Sequence, residues 1–206
     1  SSMKKLVIFD LDGTLLNTIA DLAHSTNYAL NKLGYPTHEI EKYNFMVGNG
    51  IDKLFERALP EEEKSKENVL RVRKEFVPYY DIHNADDSRP YPGIPELLSY
   101  LQNAGVQIAV ASNKYQAATQ KLVDHYFPEI HFTAVFGQRE GVKVKPDPII
   151  VSDILEVAKV AKEEVLYVGD SGVDMQTAAN AGVTACGVTW GFRPRTELEE
   201  FNPSYI

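Results

Sequence analysis

Two acidic residues separated by one leucine, Asp10 and Asp12, follow the apolar run Leu6-Val7-Ile8-Phe9 and lead directly into Gly13 and Thr14. A β-branched and aromatic run of this length reads as a buried strand. Ligands of open α/β sheets bind beyond the carboxyl ends of the strands, so chemistry would sit here. Carboxylates this close repel unless a cation or a proton lies between them. Asp-Gly after an apolar run is also an ordinary turn signal, and Asp or Thr can cap a following helix. Taken alone, the pair leaves a turn and a catalytic site both open.

Three further polar clusters stand at strand ends or just before helices. Ser112-Asn113, after the run over 106–111, offers a hydroxyl and an amide to a phosphate, or caps a helix starting near Tyr115. Lys143 and Lys145 precede a helix and either reads as merely solubilising, although proline fixes the backbone beside Lys145 in Lys145-Pro146-Asp147-Pro148 and would aim that ammonium. Gly169-Asp170-Ser171-Gly172-Val173-Asp174 brings a second pair of carboxylates to a strand end. Hard cations, above all Mg2+, are held by one or two such carboxylates together with water and substrate phosphate. An Asp at a helix start is also often a cap.

The elements that must position these clusters alternate in type. From Thr18 to about Tyr80 apolar residues recur at helical spacing, with Gly34 and Pro60 as stops and Glu61-Glu62-Glu63 opening a third helix. The polar, Pro- and Gly-rich stretch over 84–93 marks a linker. Helices are then expected over 95–103, 116–126, 148–160 and 173–181, and strands over 106–111, 134–136, 165–168 and 183–188. This pattern predicts an α/β fold: a doubly wound parallel-sheet (Rossmann-like) core, residues 1–16 and 92–206, with an all-helical insert and its linkers over 17–91. With the strands in the spatial order fifth, fourth, first, second, third, the ends bearing Asp170, Asp10 and Ser112 become neighbours.

Composition narrows the function. The chain has 206 residues, 44% hydrophobic and 24% charged, which suits a globular protein with a sizeable core. A net charge of −8 argues against a general nucleic-acid binder, although a local lysine or bound cation can still favour a small anion. The single cysteine, Cys186, permits no intrachain disulfide and favours a reducing, cytoplasmic setting. No apolar run approaches membrane-spanning length, so no membrane partner is expected. The five histidines show no ligand spacing.

The ordered set Asp10-Leu11-Asp12-Gly13-Thr14-Leu15, Ser112-Asn113, Lys145-Pro146-Asp147-Pro148 and Gly169-Asp170-Ser171-Gly172-Val173-Asp174 resembles the four motifs of the haloacid dehalogenase-like superfamily. The likeness is greatest to its phosphatases with a helical cap between the first two motifs, the phosphoglycolate phosphatase-like branch. Gly187-Val188-Thr189-Trp190-Gly191-Phe192-Arg193 is also similar to that branch.

The resemblance implies hydrolysis of a small phosphorylated metabolite, with 2-phosphoglycolate as one candidate. Asp10 would be the nucleophile, forming an aspartyl phosphate, and Asp12 the general acid and base. Mg2+ would be held by Asp10, the Asp12 carbonyl and Asp170, and phosphate oxygens by Ser112, Asn113 and Lys145. Asp174 and Thr14 would support the metal loop, and the insert would act as a cap, with Gly48-Asn49-Gly50 either facing the site or forming a plain turn. The acid at Asp12 favours phosphoryl chemistry over dehalogenation, since a halide leaves without a proton. A phosphosugar mutase of the β-phosphoglucomutase type and a catalytically silent regulatory module share these features and stay open.

Overall fold

Leu6 to Phe9 are all at most 5% exposed, as expected for a parallel strand covered on both faces. The computed structural model describes residues 3–206. Its main sheet has five strands, β1 (Leu6–Phe9), β2 (Gln107–Tyr115), β3 (Ala134–Gln138), β4 (Val165–Gly169) and β5 (Thr184–Gly187), in the order β3-β2-β1-β4-β5. Every pairing is parallel. Phe9 stands opposite Val110 on one side and Val168 on the other. Asp10, Ala111 and Gly169, the residues that follow these three, therefore lie at the same end of the sheet.

Two compact units share the chain. Residues through Asn17 together with Pro90–Ile206 form the α/β unit, and Thr18–Arg89 form the second. The second contains α1 (Ile19–Lys32), α2 (Ile51–Ala58) and α3 (Lys66–His83), and is held by buried Leu22, Leu30, Phe55, Phe76 and Tyr80. Its Gly48-Asn49-Gly50 segment has three successive positive φ angles, 126°, 64° and 89°. Arg57 fastens it by donating to the carbonyls of Met46 and Gly48 and to Asn49 Oδ1 at 2.9–3.0 Å.

The α/β unit continues with α4 (Ile94–Asn103), α5 (Gln116–Tyr126), α6 (Ile149–Ala158), α7 (Gly172–Ala181) and α8 (Arg195–Glu199). Leu6 and Ile8 pack in one buried layer with Ile150, Ile154, Met175, Ala178 and Leu198 from α6, α7 and α8. After α8 the chain runs back along β5, where Gly187 N–H donates to the Tyr205 carbonyl and Tyr205 N–H to Ala185. This covers an edge that would otherwise present unpaired backbone groups.

Two local expectations are corrected. Glu61-Glu62-Glu63 forms a separate 3-10 turn, and α3 starts after Ser65, whose Oγ accepts from Asn68 N–H at 3.1 Å; a serine hydroxyl satisfies a first-turn amide that a glutamate run leaves bare. The second strand runs on to Tyr115 with a register irregularity between Ala111 and Tyr115. Ser112 and Asn113 are thus strand residues, and Tyr115 stands at the N-cap of α5.

Candidate active site

Backbone pairing fixes the first aspartate. Asp10 N–H donates to the Val168 carbonyl at 3.0 Å, extending the β1–β4 ladder by one residue, and Asp10 Oδ1 accepts from Leu11 N–H at 2.8 Å. The chain then turns tightly, with Thr14, Leu15 and Leu16 N–H all directed at the Leu11 carbonyl. Gly13 has φ +84°, and a Cβ there would collide with the Asp170 carboxylate. Glycine at this point is what allows the two acidic loops to close on each other.

Lys145 joins these loops. Its Nζ donates to Asp10 Oδ1 at 3.1 Å, Asp174 Oδ1 at 2.8 Å, the Ala111 carbonyl at 2.8 Å and the Tyr167 hydroxyl at 3.1 Å. Burial alone would lower the ammonium's pKa, but the charges of Asp10 and Asp174 outweigh it and raise the pKa well above the ordinary lysine value. Asn113 secures the same segment: its Nδ2 donates to the Lys145 carbonyl at 3.1 Å and its Oδ1 accepts from Lys145 N–H at 2.8 Å. The Asn113 side chain is therefore engaged with Lys145 backbone. Ser112, 1% exposed, accepts from Lys114 N–H through Oγ at 3.0 Å. Lys143 is not brought into this cluster; it lines a shallow cleft with Ser112, Asn113, Gln138 and Arg139.

Asp170 and Asp174 occupy different environments. Asp170 Oδ1 accepts from the Thr14 hydroxyl at 3.2 Å and Oδ2 from Phe192 N–H at 2.9 Å. Burial and the negative charge of Asp174 push its carboxyl up to about 7. Burial would also raise Asp174, but the Lys145 charge, with hydrogen bonds from Lys145 and Tyr167, holds it below the usual carboxylate value. Asp174 Oδ2 also accepts from Asp170 N–H at 3.2 Å and Ser171 Oγ at 3.1 Å. Asp10 is raised well above the usual range, first by burial and then by Asp174.

Carboxylate oxygens of Asp10, Asp170 and Asp174 lie within 4.8 Å of one another. Three hard-oxygen donors, Asp170 and Asp174 buried and Asp10 partly so, two of them raised by desolvation and by repulsion from Asp174, fit a hard divalent cation. Asp174 is already saturated by protein donors, which leaves Asp10 and Asp170 better placed to serve as ligands.

Two features of the site went unread in the sequence. Lys114, with a side chain 2% exposed, has Nζ 3.2 Å from Asp12 Oδ1; a lysine after Ser-Asn carries no distinguishing local signal, because lysines are mostly exposed. The segment after β5 packs directly on the acidic loops: a Cβ at Gly191 would collide with Asp170 and the Gly13 carbonyl, and Trp190 Nε1 donates to the Thr14 carbonyl at 3.0 Å. The Trp-Gly-Phe sequence was visible, but the carbonyl that Trp190 binds lies 176 positions earlier in the chain.

Comparison with known proteins identifies the family. The haloacid dehalogenase-like hydrolase family model matches residues 7–188. A phosphoglycolate phosphatase of Vibrio parahaemolyticus is 32% identical over 98% of this chain and 91% of its own length. One of Mesorhizobium japonicum is 32% identical over 98% and 90%. A crystal structure from Lactobacillus delbrueckii, described as a candidate phosphoglycolate phosphatase, superposes with a TM-score of 0.93 at 32% identity, covering 100% of this chain and 95% of that one. The chain belongs to the haloacid dehalogenase-like hydrolase family and is an enzyme of its phosphatase branch.

Proposed function

We propose that this phosphatase hydrolyses a small-metabolite phosphomonoester through an aspartyl phosphate on Asp10, with Mg2+ as cofactor and 2-phosphoglycolate as the leading candidate substrate. The observation that carries the reading is the convergence of Asp10, Asp170 and Asp174, with the Lys145 ammonium paired to Asp10 and Asp174. That arrangement supports an attacking carboxylate held by a fixed cation beside a cation-binding acidic pair. The names of the relatives support the substrate.

Asp10 attacks phosphorus while Asp12 gives a proton to the leaving alkoxide; Asp12 then takes a proton from the water that cleaves the acyl phosphate. The carboxylates of Asp10 and Asp170 and the Asp12 carbonyl would hold Mg2+, which offsets the charge between nucleophile and anionic ester. Lys145 orients Asp10 and presents positive charge to the phosphoryl oxygens. Ser112 Oγ, free to donate while accepting from Lys114, would bind one of those oxygens. Asn113 acts through its grip on the Lys145 segment, with its backbone N–H as the group it offers to phosphate. Thr14 and Asp174 steady the acidic loops.

The reading places residues 17–91 as a cap selecting the leaving group, and the enzyme in the cytoplasm, consistent with its single cysteine. Among the described residues no helix is long and apolar enough to cross a membrane. The test is a phosphate-release screen with and without Mg2+ over 2-phosphoglycolate, sugar phosphates, nucleotides and pyrophosphate. Mg2+-dependent release with a preference for 2-phosphoglycolate is expected. Isomerised sugar phosphate without net release would establish a mutase, and no turnover on the panel would favour a silent module.

A further inference from the structure

Lys114 is built into the site as firmly as the motif residues. Its N–H donates to Ser112 Oγ at 3.0 Å, and its carbonyl accepts from Thr119 Oγ1, a fully buried hydroxyl, at 3.0 Å. Gly137 passes so close that a Cβ there would strike the Lys114 carbonyl and Thr119 Oγ1. The register irregularity of β2 falls between Ala111 and Tyr115 and includes this residue; such irregularities re-aim side chains beside active sites. The backbone fixed on three sides delivers an almost fully buried ammonium to within 3.2 Å of Asp12 Oδ1.

Burying an ammonium is costly unless a partner repays it. The partner here is the carboxylate of Asp12, whose side chain is 13% exposed. Asp12 is on the turn after β1, and its neighbour Leu11 is fully buried. The ion pair therefore pins the exposed end of a side chain whose backbone is already fixed.

We propose that Lys114 is a positioning residue that holds the Asp12 carboxyl in the orientation needed to protonate the leaving oxygen. This rests on the role of Asp12 in the proposed function. In that step the bond from Asp10 Oδ to phosphorus forms, the bond from phosphorus to the ester oxygen breaks, and the Asp12 proton passes to that oxygen. The carboxylate left behind stays paired with Lys114. The contribution of Lys114 therefore depends on how much the leaving oxygen needs a proton.

The test compares kcat/KM for 2-phosphoglycolate, a poor leaving group, with 4-nitrophenyl phosphate, which departs without help. Because kcat/KM covers only steps through release of the alcohol, later hydrolysis of the acyl phosphate does not mask the effect. Lys114→Met is expected to lose on the order of 10- to 100-fold on 2-phosphoglycolate and less than about 3-fold on the aryl ester, a share of the usual general-acid contribution. Lys114→Arg should restore most of the difference. Lys114→Gln replaces the methionine variant if thermal melts show that variant unfolded. Equal losses on both esters, or no loss, would overturn the proposal. Asp12→Asn run in parallel separates the two levels: leaving-group selectivity in Asp12→Asn but not in Lys114→Met refutes only the positioning role, while its absence in both refutes the acid role as well.

Discussion

Lys145 and Asp174 form an ion pair at 2.8 Å in which the two side chains are 3% and 1% exposed. The same ammonium reaches Asp10 at 3.1 Å, so one buried cation serves a carboxylate that stays ionised and one whose pKa is raised. Removing it leaves acids without compensation in a dry site.

Lys145→Met should destabilise the fold by about 3–5 kcal/mol, the range for breaking a buried pair, and abolish measurable turnover. The pH dependence should also change sign. In the native protein the Asp174 pKa is below its unfolded value, so its contribution is present above the unfolded pKa and lost as pH falls through the folded one. Without Lys145, burial dominates and raises that pKa, so the variant should lose stability as pH rises through the carboxylate range. Denaturant titrations of both proteins across acidic pH check the inversion.

Asp170 gives a second pH dependence. Its folded pKa of about 7 exceeds the unfolded carboxylate value, so the metal-free protein loses this contribution as pH rises from about 4 through about 7. Mg2+ binds the ionised form, and protons compete with it below that range. The rise in melting temperature on adding Mg2+ should therefore be larger at pH 8 than at pH 5.5, and should vanish in Asp170→Asn. Equal shifts at both pH values in the native protein would contradict the assignment.

Gly191→Ala should weaken Mg2+ affinity by about 10- to 100-fold, the usual cost of disturbing a ligand's support, because the added methyl strikes Asp170. Calorimetric titration with Mg2+ reads this directly. An unchanged affinity would mean that the neighbouring Phe192 N–H bond alone sets Asp170.

The helical unit has its own acidic group, Asp21 with His24 and Asp87. Asp21, 2% exposed, accepts from Asp87 N–H and from the N–H and hydroxyl of Ser88 at 2.7–3.1 Å. Its carboxylate is committed to closing the segment after α3. Asp21→Ala should therefore cost about 2–3 kcal/mol of stability through unsatisfied buried donors, with no change in bound metal per chain by elemental analysis.

Legibility in the sequence followed locality. Asp10, Asp12, Ser112 and Asp170 each follow an apolar run, and the strand order supposed for those runs is the one the sheet adopts, which brings their ends together. Lys145 was separable from Lys143 by the Lys-Pro dipeptide that the resembling family carries. Lys114 and Gly191 were not readable, because what matters for each is a tertiary contact that no local pattern signals: Asp12 for one, Asp170 and the Gly13 carbonyl for the other. The extension of β2 was hidden by polar residues that look like a helix cap, and the start of α3 by glutamates that resemble a first turn. In each case a tertiary contact or a better cap outweighed the local pattern.

Covalent hydrolysis requires that Asp10 carry the phosphoryl group. Acid quenching of the enzyme during turnover of 2-phosphoglycolate with Mg2+, followed by peptide mass spectrometry, tests it most directly. The account predicts one phosphoryl group on Asp10, absent without Mg2+ and absent in Asp10→Asn, which also releases no phosphate. Phosphate release by Asp10→Asn at the native rate, or a phosphoryl group trapped on another residue, would contradict it.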